Sequence, residues 1–203
     1  MQNSRPQGAV RKGGVAMSAE ARPRWEWRIF SAEPLTRLEP LFQRLRPANR
    51  KTDRDSYLLS RNTDGNVEIR GMSLDIKIER AESSLGAELW KPAYRCSFPP
   101  EAAACAVISG FAGAALPPSF ARGELPSGPS LVSAVTLKER TIYIVERTII
   151  ERGTVSVNGM TFFTLCAESE ESAQVEYFIK GCGLKKEKAT DYVTFLKSLA
   201  QWR

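Results

Sequence analysis

The sequence predicts an α+β fold in which about eight strands, mainly antiparallel, are interrupted by helices. Three observations predict it. Many short segments alternate apolar and polar residues, as strands with two unlike faces do. An Asp-Gly hairpin signal and short links join neighbouring segments, which favours antiparallel pairing. The spacing of parallel βαβ units is missing from the sequence, and so are the glycine-rich motifs G-x-G-x-x-G and G-x-x-x-x-G-K.

The composition limits the possible chemistry. The chain has 203 residues, 42% hydrophobic and 26% charged, as expected for a globular protein of about one domain. Its net charge of +6 favours a polyanionic partner. The sequence contains no histidine, which excludes Ser-His and Cys-His nucleophiles and ordinary zinc sites. Any catalysis must use carboxylates, Lys, Arg, Tyr, Cys or a metal held by oxygen. The sequence contains no run of about 18 apolar residues, so it predicts no membrane-spanning helix.

The N-terminal segment differs in character from the remainder. Residues 1–22 are polar and glycine-containing without periodicity, so we predict a disordered basic tail followed by a single domain at 23–203. The tail lacks the apolar core of a secretory signal, and Met17 is an alternative start. The cysteines form no C-x-x-C pair, which predicts reduced, structural thiols in a cytoplasmic protein. They are Cys96, Cys105, Cys166 and Cys182.

The first predicted strand, "RWEWRIF" at 24–30, has charges on one of its faces. Side chains alternate along a strand, so Glu26, Arg28 and Phe30 share a face. Either that face is solvated and carries an ion pair, or it lines a polar interior. The other face is expected to be core. It carries Trp25, Trp27 and Ile29, and Trp90 is likewise expected in the core or at its rim.

The next segments predict a helix and a series of strands. In 33–45, Pro40 suits a first helical turn, and four apolar residues fall on one helical face. They are Leu38, Leu41, Phe42 and Leu45. Pro92 predicts an edge or a bulge in its strand. The predicted strands cover 55–61, 67–71, 73–80 and 87–98, and a hairpin turn follows the first of them.

The second half alternates helical and extended segments. A proline-started helix at 99–111 is predicted to turn Val107, Ile108 and Phe111 inward. The Pro/Gly-rich loop at 112–130 is either a lid or an insertion. Segment 131–153 predicts a hairpin or one long bent strand, and 159–169 a last strand. Two closing helices follow. Their apolar faces carry Val175, Phe178, Ile179 and Cys182 in one, and Tyr192, Phe195, Leu196 and Leu199 in the other.

Several charges inside these strands form a recognisable order. Arg70 ends "VEIR", Lys77 ends "LDIK", Lys138 and Arg140 lie in "TLKER", and "LCAES" contains Cys166 and Glu168. Together with the final helix "ATDYVTFLKSL", this order resembles the CYTH superfamily, the triphosphate tunnel metalloenzymes, over residues 24–200. Those proteins carry an E-x-E-x-K first strand, an Arg-x-Arg pair, L-T-x-K and K-x-R elements, a late E-x-E strand and a final SY-x-x-L helix.

The match to the acidic motifs is incomplete. Glu26 matches the first carboxylate of the first strand, while Arg28 and Phe30 replace the residues that follow. Glu168 matches the late acidic strand, in which Cys166 replaces a carboxylate. An arginine cannot ligate a cation, and a thiol is a poor magnesium ligand. The acidic metal-binding motifs are therefore degenerate.

The resemblance implies a fold and a site. The fold is an eight-stranded antiparallel barrel whose interior tunnel holds a triphosphate or polyphosphate-like anion. Mg²⁺ or Mn²⁺ would be held by Glu26 and Glu168, with help from one of Glu68, Asp75, Glu79 or Glu151. No catalytic residue is identified. The implied phosphate-binding residues are Arg28, Arg70, Lys77, Lys138 and Arg140.

Two functions remain open on this evidence. One is a divalent-metal-dependent triphosphatase acting on inorganic or organic triphosphate. The other is a catalytically impaired binding module for polyphosphate or a phosphorylated ligand, which the lost carboxylates favour. Binding of RNA ranks third, because the chain lacks a basic strand interleaved with aromatic residues.

Overall fold

The computed structural model of the protein describes residues 22–200. Four α-helices flank eight strands in that part of the chain. The strands are β1 (Arg24–Ser31), β2 (Asn49–Ser60), β3 (Asn66–Arg70), β4 (Ser73–Glu82), β5 (Glu88–Ser97), β6 (Leu131–Val145), β7 (Thr148–Val157) and β8 (Met160–Ser169). The helices are α1 (Glu39–Phe42), α2 (Ala102–Ala112), α3 (Ser172–Gly181) and α4 (Tyr192–Leu199). The tail predicted at 1–22 lies, apart from residue 22, outside the described residues.

The strands close into one antiparallel barrel. Their order around it is β1-β5-β4-β3-β2-β6-β7-β8. The predicted α+β fold and the barrel implied by the resemblance are thus confirmed. Of the two predictions for 131–153, the hairpin is observed: β6 and β7 pair from Val145 and Thr148 onwards, and Glu146 takes a positive φ of 53° in the turn. Pairing of β4 with β5 shifts register beside Pro92, the irregularity that the proline predicts.

Two apolar clusters pack helices against the outside of the barrel. Helices α1 and α3 cover β1, β7 and β8, where Trp27 is 1% exposed, so the predicted core face of β1 is confirmed. Helix α2 covers the outer face of β3 and β4 through Ile108. The prediction that Val107 points inward is wrong: it is 44% exposed. The buried stripe of α2 instead runs through Ala104, Cys105, Ile108 and Ala112, and Val107 lies beside it.

Two further predictions are modified by the structure. The helix predicted over 33–45 is a 3₁₀ turn at Thr36–Leu38 followed by the four-residue α1, with Leu38 and Phe42 buried. The loop predicted at 112–130 packs on the barrel's outer face, where the ring of Phe120 meets that of Phe98 at 5.9 Å. It contributes no residue to the interior cavity.

Helix α4 closes one end of the barrel. Phe30, on the same face of β1 as Glu26 and Arg28, stacks on Phe195 of α4 with ring centroids 3.7 Å apart. The carboxylate of Asp191 caps this helix by accepting the N–H groups of residues 193 and 194 at 2.6 and 3.0 Å. The interior therefore has an apolar end filled by α4 and a polar end that stays open. Within residues 22–200, no helix is long and apolar enough to cross a membrane.

Candidate active site

The polar end of the barrel encloses a cavity of about 190 Å³. All seven residues that the sequence predicts for phosphate or metal binding line it. Its basic residues are Arg28, Lys51, Arg70, Lys77, Lys138 and Arg140, and its acidic residues are Glu26, Glu68, Glu151, Glu168 and Asp191. The structure brings the predicted residues together, and their roles in binding remain predictions.

Strand pairing explains how distant motifs meet. The first and last strands are neighbours in register, so Glu26 lies opposite Glu168 and Arg28 opposite Cys166. Of the two interpretations of the charged face of β1, the polar interior is the observed one, because the Arg28 side chain is 3% exposed. At these two paired positions, where the acidic motifs of the first and last strands would place carboxylates, the guanidinium of Arg28 faces the thiol of Cys166.

Lys138 is the most deeply paired cation of the cavity. Its ammonium lies 2.7 Å from Asp55 Oδ2 and 3.1 Å from Glu68 Oε1, and it donates to the Tyr57 hydroxyl at 2.5 Å. Burial alone would lower the pKa of Lys138, but Glu68 and Asp55 raise it above its ordinary value. Burial would likewise raise the pKa of Glu68, but Lys138 and Arg70 bring it well below its ordinary value. Both groups are therefore charged.

The arginines are also matched by carboxylates. Arg140 donates to both oxygens of Glu151, at 3.0 and 3.1 Å, and pairs with Asp53 on β2. Arg70 lies 3.4 Å from Glu68 and 3.5 Å from Asp75. Burial would raise the pKa of Glu151, but Arg28 and Arg140 lower it. Four of the five predicted phosphate-binding cations thus already have carboxylate partners.

Two lysines of the cavity differ from these paired cations. Within residues 22–200, neither Lys51 nor Lys77 has a carboxylate within ion-pair distance. Lys77 was predicted from the sequence, whereas Lys51 was not. These two ammonium groups can accept an anion without breaking an existing ion pair.

An acidic cluster lies on the β1–β8 side of the cavity. One ligand atom each from Glu26, Cys166 and Glu168 lies within 4.8 Å of the other two. Burial, Glu26 and Glu151 raise the pKa of Glu168 to about 7, and the opposing effects of Arg28 and Lys77 are smaller. Two carboxylates fit a hard divalent ion such as Mg²⁺ or Mn²⁺. The third member does not, since burial raises the pKa of the Cys166 thiol well above its ordinary value.

The acidic side extends to β5. Glu88 lies opposite Glu26, so three carboxylates stand in a row across β8, β1 and β5. Burial, Asp191 and Glu79 raise the pKa of Glu88 to about 8, although its carboxylate accepts the Trp90 Nε1–H at 3.0 Å. Trp90 lines the cavity at this rim, as its predicted place allows.

The structure also sorts the other acidic candidates. Glu68 and Glu151 are partners of cations, as described above. Asp75 pairs with Arg70 and Arg95, and Glu79 is exposed and does not line the cavity. Sequence reasoning missed a further set of interior residues. It consists of Lys51, Asp53, Asp55, Tyr57, Glu88 and Asp191. For three of them, the alternation in "DRDSY" was an available signal.

Comparison with known proteins supports the fold. No family model matches the sequence, and no curated protein matches it. Solved structures do match it, including the following three. A Hippeastrum protein, described as an adenylyl cyclase candidate with a dominant triphosphatase activity, matches with a TM-score of 0.53 at 13% identity, over 88% of this chain and 96% of that one.

Two further similar structures come from Pyrococcus species. A conserved hypothetical protein of Pyrococcus furiosus matches with a TM-score of 0.52 at 16% identity, over 84% of this chain and 98% of that one. A protein of Pyrococcus horikoshii matches with a TM-score of 0.51 at 13% identity, over 87% and 99%. At these identities the likeness establishes the shared barrel fold.

Proposed function

We propose that this chain, which has the fold of the CYTH-like triphosphate tunnel proteins, binds the triphosphate group of an inorganic or organic triphosphate in its barrel and hydrolyses it with Mg²⁺ or Mn²⁺. One observation carries the proposal: five basic side chains from four strands converge on a single cavity of about 190 Å³. They are Arg28, Arg70, Lys77, Lys138 and Arg140.

The cations would act in three ways. Among the residues that the structure describes, Lys51 and Lys77 have no carboxylate partner, so they offer the first contacts to an entering phosphate. Arg70 and Arg140 can share their several donors between a carboxylate and a phosphate oxygen, because a guanidinium carries five N–H groups. Lys138 is held by two carboxylates and a phenol, and it contributes mainly its charge.

Glu26 and Glu168 are the residues that would hold a metal ion. A divalent ion held there would offset phosphate charge and lower the pKa of a bound water. The raised pKa of Glu168 supports this assignment, since a cation beside it would relieve the repulsion from Glu26 and Glu151. The pair Arg28 and Cys166 supports no second ion.

A phosphate-release assay tests the hydrolase. Wild-type protein is expected to release phosphate from inorganic triphosphate with Mg²⁺ or Mn²⁺. Glu168→Gln should lower the rate by about a hundredfold or more, since even partners of metal ligands cost 10–100-fold. Glu124→Gln, in an exposed loop, is the matched control and should leave the rate unchanged. A wild-type protein that neither releases phosphate nor gains thermal stability from triphosphate would contradict the whole proposal.

A second candidate is binding without turnover. The guanidinium of Arg28 opposite the thiol of Cys166 favours it, because only Glu26 and Glu168 remain to hold a metal. In that case inorganic triphosphate would raise the melting temperature by mass action while no phosphate is released.

The location and domain limits belong to the same proposal. We place the protein in the cytoplasm, which suits its four free cysteines. We assign the binding function to a single domain at 23–203, with a triphosphate or polyphosphate-like anion as its partner.

A further inference from the structure

Arg28 is more deeply buried than the other two arginines that line the cavity. The Arg28 side chain is 3% exposed, and three of its nitrogens have partners. Its Nε donates to Glu26 Oε1 at 2.8 Å, and its Nη2 lies 3.4 Å from Glu151 Oε2. Its Nη1 donates to Thr164 Oγ1 at 3.4 Å.

The remaining face of the guanidinium is also covered. Its central carbon lies 4.5 Å from the ring centroid of Tyr192, a residue at the start of α4. An arginine bound in this way has few donors left for a phosphate. Its positive charge nevertheless acts across the cavity, because the buried surroundings screen it weakly.

The position of Arg28 explains how the carboxylates of the cavity are tolerated. Glu26 and Glu151 extend from β1 and β7 towards the same interior, and the guanidinium lies between them. Without it, Glu26 would have no ion-pair partner among the described residues, and Glu151 would keep only Arg140, beside Glu168. The fixed guanidinium of Arg28 therefore supplies the positive charge that a bound metal ion would otherwise supply beside Glu26 and Glu151.

We propose that Arg28 is a positioning residue that acts as a built-in counter-ion: by neutralising Glu26 and Glu151, it allows the basic cavity to bind a triphosphate-type anion without a divalent metal. This inference rests on the proposed anion binding. It assigns different metal requirements to binding and to hydrolysis. Binding would be metal-independent, whereas turnover would need the ion at Glu26 and Glu168.

The first test needs no variant. Isothermal titration calorimetry of inorganic triphosphate into the full chain is carried out in EDTA and in Mn²⁺. The inference expects measurable binding in EDTA. Binding that appears only with Mn²⁺ would overturn the inference but leave the proposed function standing. Binding under neither condition would overturn both.

The second test removes the guanidinium. Arg28→Gln leaves Glu26 without its cation and Glu151 with Arg140 alone, so the dissociation constant in EDTA should rise about tenfold or more. Mn²⁺ should then restore most of the affinity and raise the melting temperature of this variant more than that of the wild type. Unchanged affinity in EDTA, or a loss that Mn²⁺ does not restore, would contradict the role as a counter-ion.

A double variant and a control variant test whether the effect of Arg28→Gln comes from lost neutralisation. Arg28→Gln combined with Glu26→Gln removes the arginine and the carboxylate that pairs with it alone among the described residues, so it should bind triphosphate in EDTA more tightly than Arg28→Gln alone. Arg152→Gln is the matched control, because it removes an arginine that pairs with Glu39 and lies over Phe42, outside the barrel. It should match the wild type in both buffers. A double variant no tighter than Arg28→Gln would argue against neutralisation.

Discussion

Lys138 shows how single residues make a charged interior stable. Its side chain is 3% exposed, and its charge is balanced by Asp55 and Glu68 at 2.7 and 3.1 Å. A buried ion pair adds little net stability over an apolar replacement, but removing one partner leaves the other charge buried alone. The barrel is therefore sensitive to the loss of single charges.

Lys138→Met is expected to lower the free energy of unfolding by about 3–5 kcal/mol, because buried Asp55 loses its cation and buried Glu68 keeps only Arg70. Urea unfolding followed by circular dichroism measures it. Lys180→Met is the control: it breaks an exposed pair with Glu176 one helical turn away, which is screened by solvent and should cost far less. Equal losses for the two variants would show that the interior pair is not buried as described.

Glu88 predicts how stability changes with pH. Burial, Asp191 and Glu79 raise its pKa in the folded protein from 4.5 to about 8. Between those values the folded state binds more protons than the unfolded state, so Glu88 lowers stability as the pH rises from about 4.5 to 8. Glu88→Gln should therefore melt higher than wild type at pH 8.5, with little difference at pH 4.5. Glu124→Gln should show no such trend, and a pH-independent effect of Glu88→Gln would refute the shift.

Only part of this residue-scale arrangement could be predicted from the sequence. The alternation in "RWEWRIF" placed Glu26 and Arg28 on one face, and the order of motifs placed Lys77 and Lys138 in the same interior. The counter-ions were not predicted, because their places depend on strand register. Glu151, for example, lies opposite Cys166 only through the pairing of β7 with β8.

At the scale of elements, the alternation of apolar and polar residues predicted the existence of the strands better than it predicted their first and last residues. Strand β2 begins at Asn49, six residues before the predicted start at Asp55, because its exposed first half pairs with β6 while carrying no apolar alternation. The turn between β6 and β7 contains no Gly, Pro or Asn, and Glu146 supplies the positive φ. Propensity alone could therefore not choose between a hairpin and a bent strand.

Gly153 is the residue on which the close approach of β6 and β7 depends. A Cβ at this position would overlap the carbonyl oxygen of Glu139, so the backbone would have to shift. Gly153→Ala is expected to cost about 1–3 kcal/mol, the usual cost of overpacking. Gly123→Ala is the control, because nothing lies within 4 Å of its added Cβ. Chemical denaturation compares the two, and a neutral Gly153→Ala would mean that the strands can separate freely.

At the scale of the whole molecule, the net charge of +6 says little about the site. The cavity is lined by six basic and five acidic residues, so its interior is nearly balanced. Composition predicted a polyanionic partner, yet the binding strength depends on which cations are unpaired. Closure of the barrel likewise could not be derived from periodicity, since an open sheet gives the same alternation. It was implied by the order of motifs, and the pairing of β1 with both β5 and β8 confirms it.

Lys51 and Lys77, which have no carboxylate partner among the described residues, give a prediction about the charge of the whole molecule. Replacing Lys51 and Lys77 with Ala should remove most of the rise in melting temperature that inorganic triphosphate produces, because the other cations already have carboxylate partners. Replacing the exposed Lys91 and Lys186 with Ala lowers the net charge equally and should retain the rise. Thermal melts at two salt concentrations measure both effects, since screening weakens long-range attraction in each double variant alike. If both double variants lost the rise equally, overall charge rather than the cavity would bind the anion. If the Lys51 and Lys77 variant kept it, the paired arginines would be the primary ligands.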